Sequence, residues 1–214
     1  MRGVKLGCNV GAQTRAMHAA LPRAPSRLLP AWSRIVRTPR VLGHNDKVGD
    51  CVIVAGFNAV QTALARRGNF TSLPEDLPVR IYSSLTGYVP GDESTDNGTD
   101  PEMFLAWWKV NAIAGYRLGR FIRLNPADVD GIRNAVAGLG CYLCVELSTA
   151  NEEQAVWRPD GFAGSWGGHA VWADEYEAAD IGVCSWGGGY GIDGAYFAAP
   201  GFVSAAFALE LEQA

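Results

Sequence analysis

Two side chains far apart in the sequence have the types that thiol chemistry requires. Cys51 follows Asp50 at the head of a long apolar run, from Gly49-Asp50-Cys51-Val52-Ile53-Val54 to Leu64-Ala65-Arg66-Arg67-Gly68. His169 follows a stretch holding Gly161, Gly164, Gly167 and Gly168, and leads into Ala170-Val171-Trp172; the only other histidines are His18 and His44. A thiol attacks an acyl carbon as its thiolate. An imidazole can withdraw the thiol proton and later return it to the leaving group.

The elements that must position this pair are legible. The Cys51 run reads as a helix: Asp50 suits the N-cap, Arg66 and Arg67 suit the negative C-terminal end, and Gly68 supplies the stop. Its apolar residues cover most faces, so the helix is central to the fold. In the first turn, unsatisfied amides and the macrodipole favour a thiolate at Cys51, although the position also suits a small buried residue. The glycines before His169 form a flexible approach, and the residues after it a short apolar strand.

The surrounding chain sets bounds. With 214 residues, 48% hydrophobic and 19% charged, it reads as one domain with an appended arm. Five cysteines are an odd number, which argues against a pure disulfide framework. No window approaches ~18 uninterrupted apolar residues, and the start has no apolar core of signal-peptide length, so no membrane contact is expected. The net charge of −4 hides a division. Residues 1–45 carry eight Arg or Lys and no Asp or Glu, whereas residues 46–214 carry ten basic and 22 acidic residues. Pro22, Pro25, Pro30 and Pro39 prevent one long helix in the cationic arm, which is expected to run extended over an acidic surface of its own chain or an anionic partner. Nucleic acid is disfavoured, because Trp32 is the only interleaved aromatic residue.

From about Ala31 to Phe202 the order of motifs resembles the papain-like cysteine peptidase superfamily. Pro30-Ala31-Trp32-Ser33-Arg34 is similar to its opening strand, and Thr38-Pro39-Arg40-Val41-Leu42-Gly43-His44-Asn45 to the run before its active-site helix. Thr95-Asp96-Asn97-Gly98 with a helix from Pro101 to Ala114, a helix from Asn125 to Gly138, a strand from Gly140 to Leu147, and a last hairpin with Ser185-Trp186-Gly187 and Asp193-Gly194-Ala195-Tyr196-Phe197 follow in family order. The resemblance implies Cys51 as nucleophile, His169 as acid and base, and Asn45 as oxyanion donor with the Cys51 backbone amide, in the place of the family's glutamine. Trp186 matches the indole that shields the histidine. The chain departs from the pattern at Cys184, where the family has an Asn or Asp that fixes the histidine tautomer; a thiol is a weak acceptor. Either the dyad works without its orienter, or Asp174, an ordered water or a backbone carbonyl is the substitute, or the site is retired. The whole pattern, including Leu85-Thr86-Gly87-Tyr88-Val89-Pro90-Gly91-Asp92, most closely resembles a branch encoded by tailed bacteriophages and prophages.

Other motifs carry less. Gly189-Tyr190-Gly191-Ile192-Asp193-Gly194 fits a dinucleotide fingerprint in letters, but no room remains for a βαβ unit, and it reads as a hairpin. Cys141 and Cys144 have chelate spacing without partners, and on a strand they face opposite sides. Asp92, Glu93, Asp96 and Asp100 read as a solvated loop ending in a helix cap at Asp100. No cofactor or metal is expected. The expected fold is α+β, papain-like: an arm over residues 1–29, then a domain over 30–214 with a helical half, a mainly antiparallel half that includes strands His169 to Ala173, Ile181 to Trp186 and Ala195 to Ala198, and a cleft between. Phe202 to Leu211 reads as a strand or short helix. Two functions follow: a cysteine hydrolase of peptide, isopeptide or related amide bonds, or a capsid- or tail-associated structural component of a phage particle. The expected location is virion or host cytoplasm. Residues 1–27 are expected to run along an acidic neighbouring protein, or, if they fold back beside Cys51, to act as an inhibitory pro-segment.

Overall fold

The computed structural model describes residues 4–19, 31–32, 38–178 and 180–214. Its helices are α1 (Ala12–Ala19), α2 (Cys51–Arg66), α3 (Leu77–Thr86), α4 (Pro101–Val110), α5 (Val129–Ala137) and α6 (Gly194–Ala198). Its strands are β1 (Ala31–Trp32), β2 (Tyr116–Leu124), β3 (Cys141–Leu147), β4 (Val156–Trp157), β5 (Gly167–Glu177), β6 (Asp180–Ser185), β7 (Gly188–Ile192) and β8 (Val203–Gln213). The strands form one sheet in the order β2-β8-β3-β5-β6-β7-β4, with β1 added on β5; all pairs are antiparallel except β4 with β7. This is the expected α+β architecture, with helices on both sheet faces.

Strand alternation divides the interior. Ala170 and Trp172 of β5 face an apolar cluster built with α2 and α4, whereas Val171 and Ala173 face a second cluster built with α5 and α6. Cys144 joins the first cluster and Cys141 the second, as their spacing on a strand requires. α2 is buried along almost its whole length. Gly56 lets it approach α4, because a Cβ there would fall 2.5 Å from the Phe104 ring. Trp172 Nε1 donates to Thr62 Oγ1 at 3.0 Å, and the Tyr142 hydroxyl donates to the Val52 carbonyl at 2.7 Å, fixing α2 on the sheet.

Several boundaries differ from the sequence reading. Ala195 to Ala198 is a short helix, not a strand, because the Asp193 carboxylate accepts from Ala195 N and caps it. α4 stops at Val110, where the chain turns into β2. Phe202 to Leu211 resolves as a strand, since β8 pairs with both β2 and β3. The arm is not wholly extended: α1 occupies a proline-free stretch. No helix among the described residues is long and apolar enough to cross a membrane.

Candidate active site

Asp50 takes the N-cap position of α2, but its side chain makes no cap hydrogen bond. Both carboxylate oxygens are buried without a partner, and burial, with Asp96, Asp46 and Glu75 nearby, pushes its pKa well above the carboxylate range. Cys51 follows as the first residue of the helix and is wholly buried. Its pKa is raised, not lowered: burial dominates, opposed by hydrogen bonds from the Ala170 and Gly7 backbones. Magnitudes explain the reversal. A helix N-terminus is worth at most about 2 kcal/mol, whereas full burial moves a pKa by up to about 3–5 units.

Part of the cover is a separate segment, residues 7–9, whose Gly7 backbone bonds Cys51 and whose Cys8 adjoins it. Cys8 N donates to the Gly168 carbonyl at 3.0 Å, Asn9 N to the Thr99 carbonyl at 3.0 Å, and Thr99 N to the Gly7 carbonyl at 2.7 Å. Residues 7–9 thus lie as an extended strand between the loop before α4 and the start of β5, parallel to Thr99. Glycine is required where they cross: a Cβ on Gly7 would fall 2.1 Å from the Gly49 carbonyl oxygen, and one on Gly168 2.1 Å from that of Cys8. Lys5 reaches Asp96 at 3.6 Å and Arg15 reaches Glu146 at 2.7 Å, so ion pairs flank the crossing. Asp96 also accepts from Gly49 N at 3.1 Å and from the Tyr82 hydroxyl at 2.7 Å, which fixes the helix approach.

Asn45 sits in the turn before α2 and is buried. Asn58 of α2 holds that run through Val41 N and the Val41 carbonyl. The Asn45 Oδ1 atom has no partner, and the Gly7 carbonyl is taken by Thr99, not by Asn45.

His169 is wholly buried on the same strand face as Val171 and Ala173, while α2 packs on the opposite one. Its Nε2 pairs with Ser185 Oγ at 2.7 Å, and its Nδ1 has no hydrogen-bond partner, Cys51 included. Burial lowers its pKa to about 3, so the imidazole is neutral at physiological pH. Trp186 stacks on the ring at 4.5 Å with an interplanar angle of 13°, and Trp157 meets it edge-on at 6.3 Å. A tight turn places that indole: Trp186 and Gly187 have φ of 46° and 68°, the hairpin geometry with both central residues left-handed.

Ser185 stands where Cys184 was expected to matter. Strand alternation turns Ser185 toward His169 and Cys184 toward α2, where its thiol donates to Asp174 Oδ1 at 3.8 Å. Asp174 accepts from the Cys184 thiol there, and the Ser185 hydroxyl bonds the imidazole. The same period-two pattern in Ile181, Val183 and Ser185 was the available signal. Two surface cavities, of about 460 and 430 Å³, include neither Cys51 nor His169 in their linings. Among the described residues no group of His, Cys, Asp or Glu could hold a metal ion.

No family model and no curated protein sequence matches the chain. Solved structures do. Xylellain, a cysteine protease from Xylella fastidiosa, superposes with a TM-score of 0.62 at 13% identity, over 96% of this chain and 91% of its own. Procathepsin L 3 of the Tenebrio molitor larval midgut gives 0.59 at 18%, over 90% and 74%. The Carica candamarcensis cysteine protease CMS1MS2, in complex with E-64, gives 0.55 at 18%, over 81% and 92%. At these identities the likeness shows the fold, and that fold is papain-like.

Proposed function

We propose that the chain is a papain-type thiol hydrolase of peptide, isopeptide or related amide bonds, in a latent state covered by its own N-terminal segment. One observation carries the reading: the groove over Cys51 holds an extended polypeptide by main-chain hydrogen bonds, from Gly168 on one side and Thr99 on the other. Main-chain pairing recognises a peptide whatever its side chains. In the open state Cys51 attacks the acyl carbon, and Asn45 with the Cys51 amide stabilises the oxyanion. His169 takes the thiol proton on Nδ1 and returns it to the leaving group, while Ser185 holds Nε2. For this step the His169 ring, which shares the face of Val171 and Ala173 in the covered state, must turn from that face toward the sulfur. The segment is not itself positioned for cleavage, since Thr99 holds its Gly7 carbonyl.

A second reading, a phage capsid- or tail-associated component that keeps the fold as a scaffold, is favoured by the missing bond between Cys51 and His169. The arm, whose residues 20–30 lie outside the described residues, would then serve attachment to an acidic neighbour. Iodoacetamide labelling and fluorogenic peptides, applied to the full chain and to a chain lacking residues 1–11, separate the two. The hydrolase reading expects Cys51 in the shortened chain to label faster than Cys141, Cys144 and Cys184, at pH values below the ordinary thiol pKa of about 8.5, and to support Cys51-dependent hydrolysis. Equal, slow labelling without hydrolysis leaves the scaffold.

A further inference from the structure

The segment over Cys51 carries a thiol of its own, and that thiol is turned inward. Cys8 is only 3% exposed, while Asn9 beside it is exposed. The Cys8 and Cys144 thiols adjoin each other, and each perturbs the other's titration. Backbone geometry explains the meeting: Cys8 hangs from Gly168 of β5, and Cys144 lies opposite Ala170, two residues along that strand. Both belong to one apolar cluster with Cys51, and neither is in a disulfide. The other two thiols are placed elsewhere, Cys141 on the far sheet face and Cys184 on Asp174. Cys8 is thus the one thiol of the segment, held against a thiol of the domain.

We propose that Cys8 and Cys144 form a peroxide-oxidisable pair whose disulfide locks the segment over the nucleophile. The segment is a short edge element, so it opens locally more readily than β3, which is paired on both sides. In the opened state the Cys8 thiolate attacks hydrogen peroxide. A sulfur–oxygen bond forms, the oxygen–oxygen bond breaks, and the departing hydroxide takes a proton to become water. When the segment returns, Cys144 sulfur attacks the Cys8 sulfenic sulfur; the sulfur–sulfur bond forms, and the leaving hydroxide takes the Cys144 proton. Two thiols and one peroxide give one disulfide and two waters. A reductant of the dithiol class reverses the lock.

The test treats the full-length protein with hydrogen peroxide, blocks free thiols in denaturant and maps unreduced peptides by mass spectrometry. The expected product joins the Cys8 and Cys144 peptides, disappears with dithiothreitol, and is absent from Cys8→Ser and Cys144→Ser. In the oxidised wild type, native labelling of Cys51 falls by roughly tenfold. A Cys8 disulfide to Cys51 instead, Cys8 carried to sulfinic acid without a partner, or five intact thiols under peroxide that oxidises free cysteine would each overturn the proposal. The map reads a covalent bond in the wild type, so its outcome is independent of whether Cys51 hydrolyses anything.

Discussion

Cys51 and His169 are both wholly buried, but by different material. The thiol is covered by a separate piece of chain, residues 7–9, held by three main-chain hydrogen bonds and two flanking ion pairs. The imidazole is enclosed by the domain itself, by Trp157, Trp186 and Ser185 packed on the sheet. The difference teaches which property can change without unfolding. Access to Cys51 depends on a local equilibrium of the segment, whereas the surroundings of His169 belong to the global fold.

The sharpest way to break this contrast is Gly7→Ala. The added carbon would meet the Gly49 carbonyl oxygen at 2.1 Å, a clash with main chain that cannot move aside. Overpacking of this kind costs about 2 kcal/mol, so native Cys51 labelling should rise by about 30-fold while the unfolding midpoint of the domain hardly shifts. An equal loss of global stability would show that the segment is part of the core.

His169 should show the opposite behaviour. Its folded pKa of about 3 lies below the ordinary 6.5, so the unfolded chain takes up a proton first as pH falls. The contribution is fully present above pH 6.5 and is lost through the window down to about 3, at up to about 1.4 kcal/mol per pH unit. Denaturant titrations across that range should show the slope, and His169→Gln should remove it. A slope unchanged in the variant would assign it to other groups.

Ser185→Ala leaves a buried imidazole nitrogen without its partner, and about 1–3 kcal/mol of global stability should go with it. If the domain hydrolyses amides, turnover should fall more than stability does, because the ring loses its orientation. Loss of stability alone would make Ser185 a packing residue. The smallest effect belongs to Lys5→Ala at the segment's edge. That pair with Asp96 is part-exposed on the lysine side, so its removal should raise Cys51 labelling by about two- to threefold, and 0.5 M salt should reproduce the change in the wild type. A salt-independent change would point to packing of the lysine stem.

Much of this site was legible in the residues themselves. The apolar run from Cys51, the glycines before His169 and the Ser-Trp-Gly turn each have a strong local signal, and the structure puts them on α2, β5 and the β6–β7 hairpin. What escaped depended on contacts between distant parts of the chain. Nothing local marks Gly7 as the residue that must pass Gly49, because the constraint exists only once residues 7 and 49 meet. Ser185, not Cys184, meets the imidazole, because alternation along β6 separates the two onto opposite faces. The depressed Cys51 pKa expected from the helix start failed because burial, a property of the folded whole, outweighed a property of the helix.

The pairing of Cys8 with Gly168 has a consequence for the order of events in synthesis. Cys8 is synthesised well before the strand that holds it, which is made some 160 residues later, after Thr99. Closing so long a loop is slow compared with forming α2 or a hairpin, and its entropy is repaid only when both partners are in place. The cover over Cys51 is therefore a late contact in synthesis: α2 can form long before the strand that holds the cover exists.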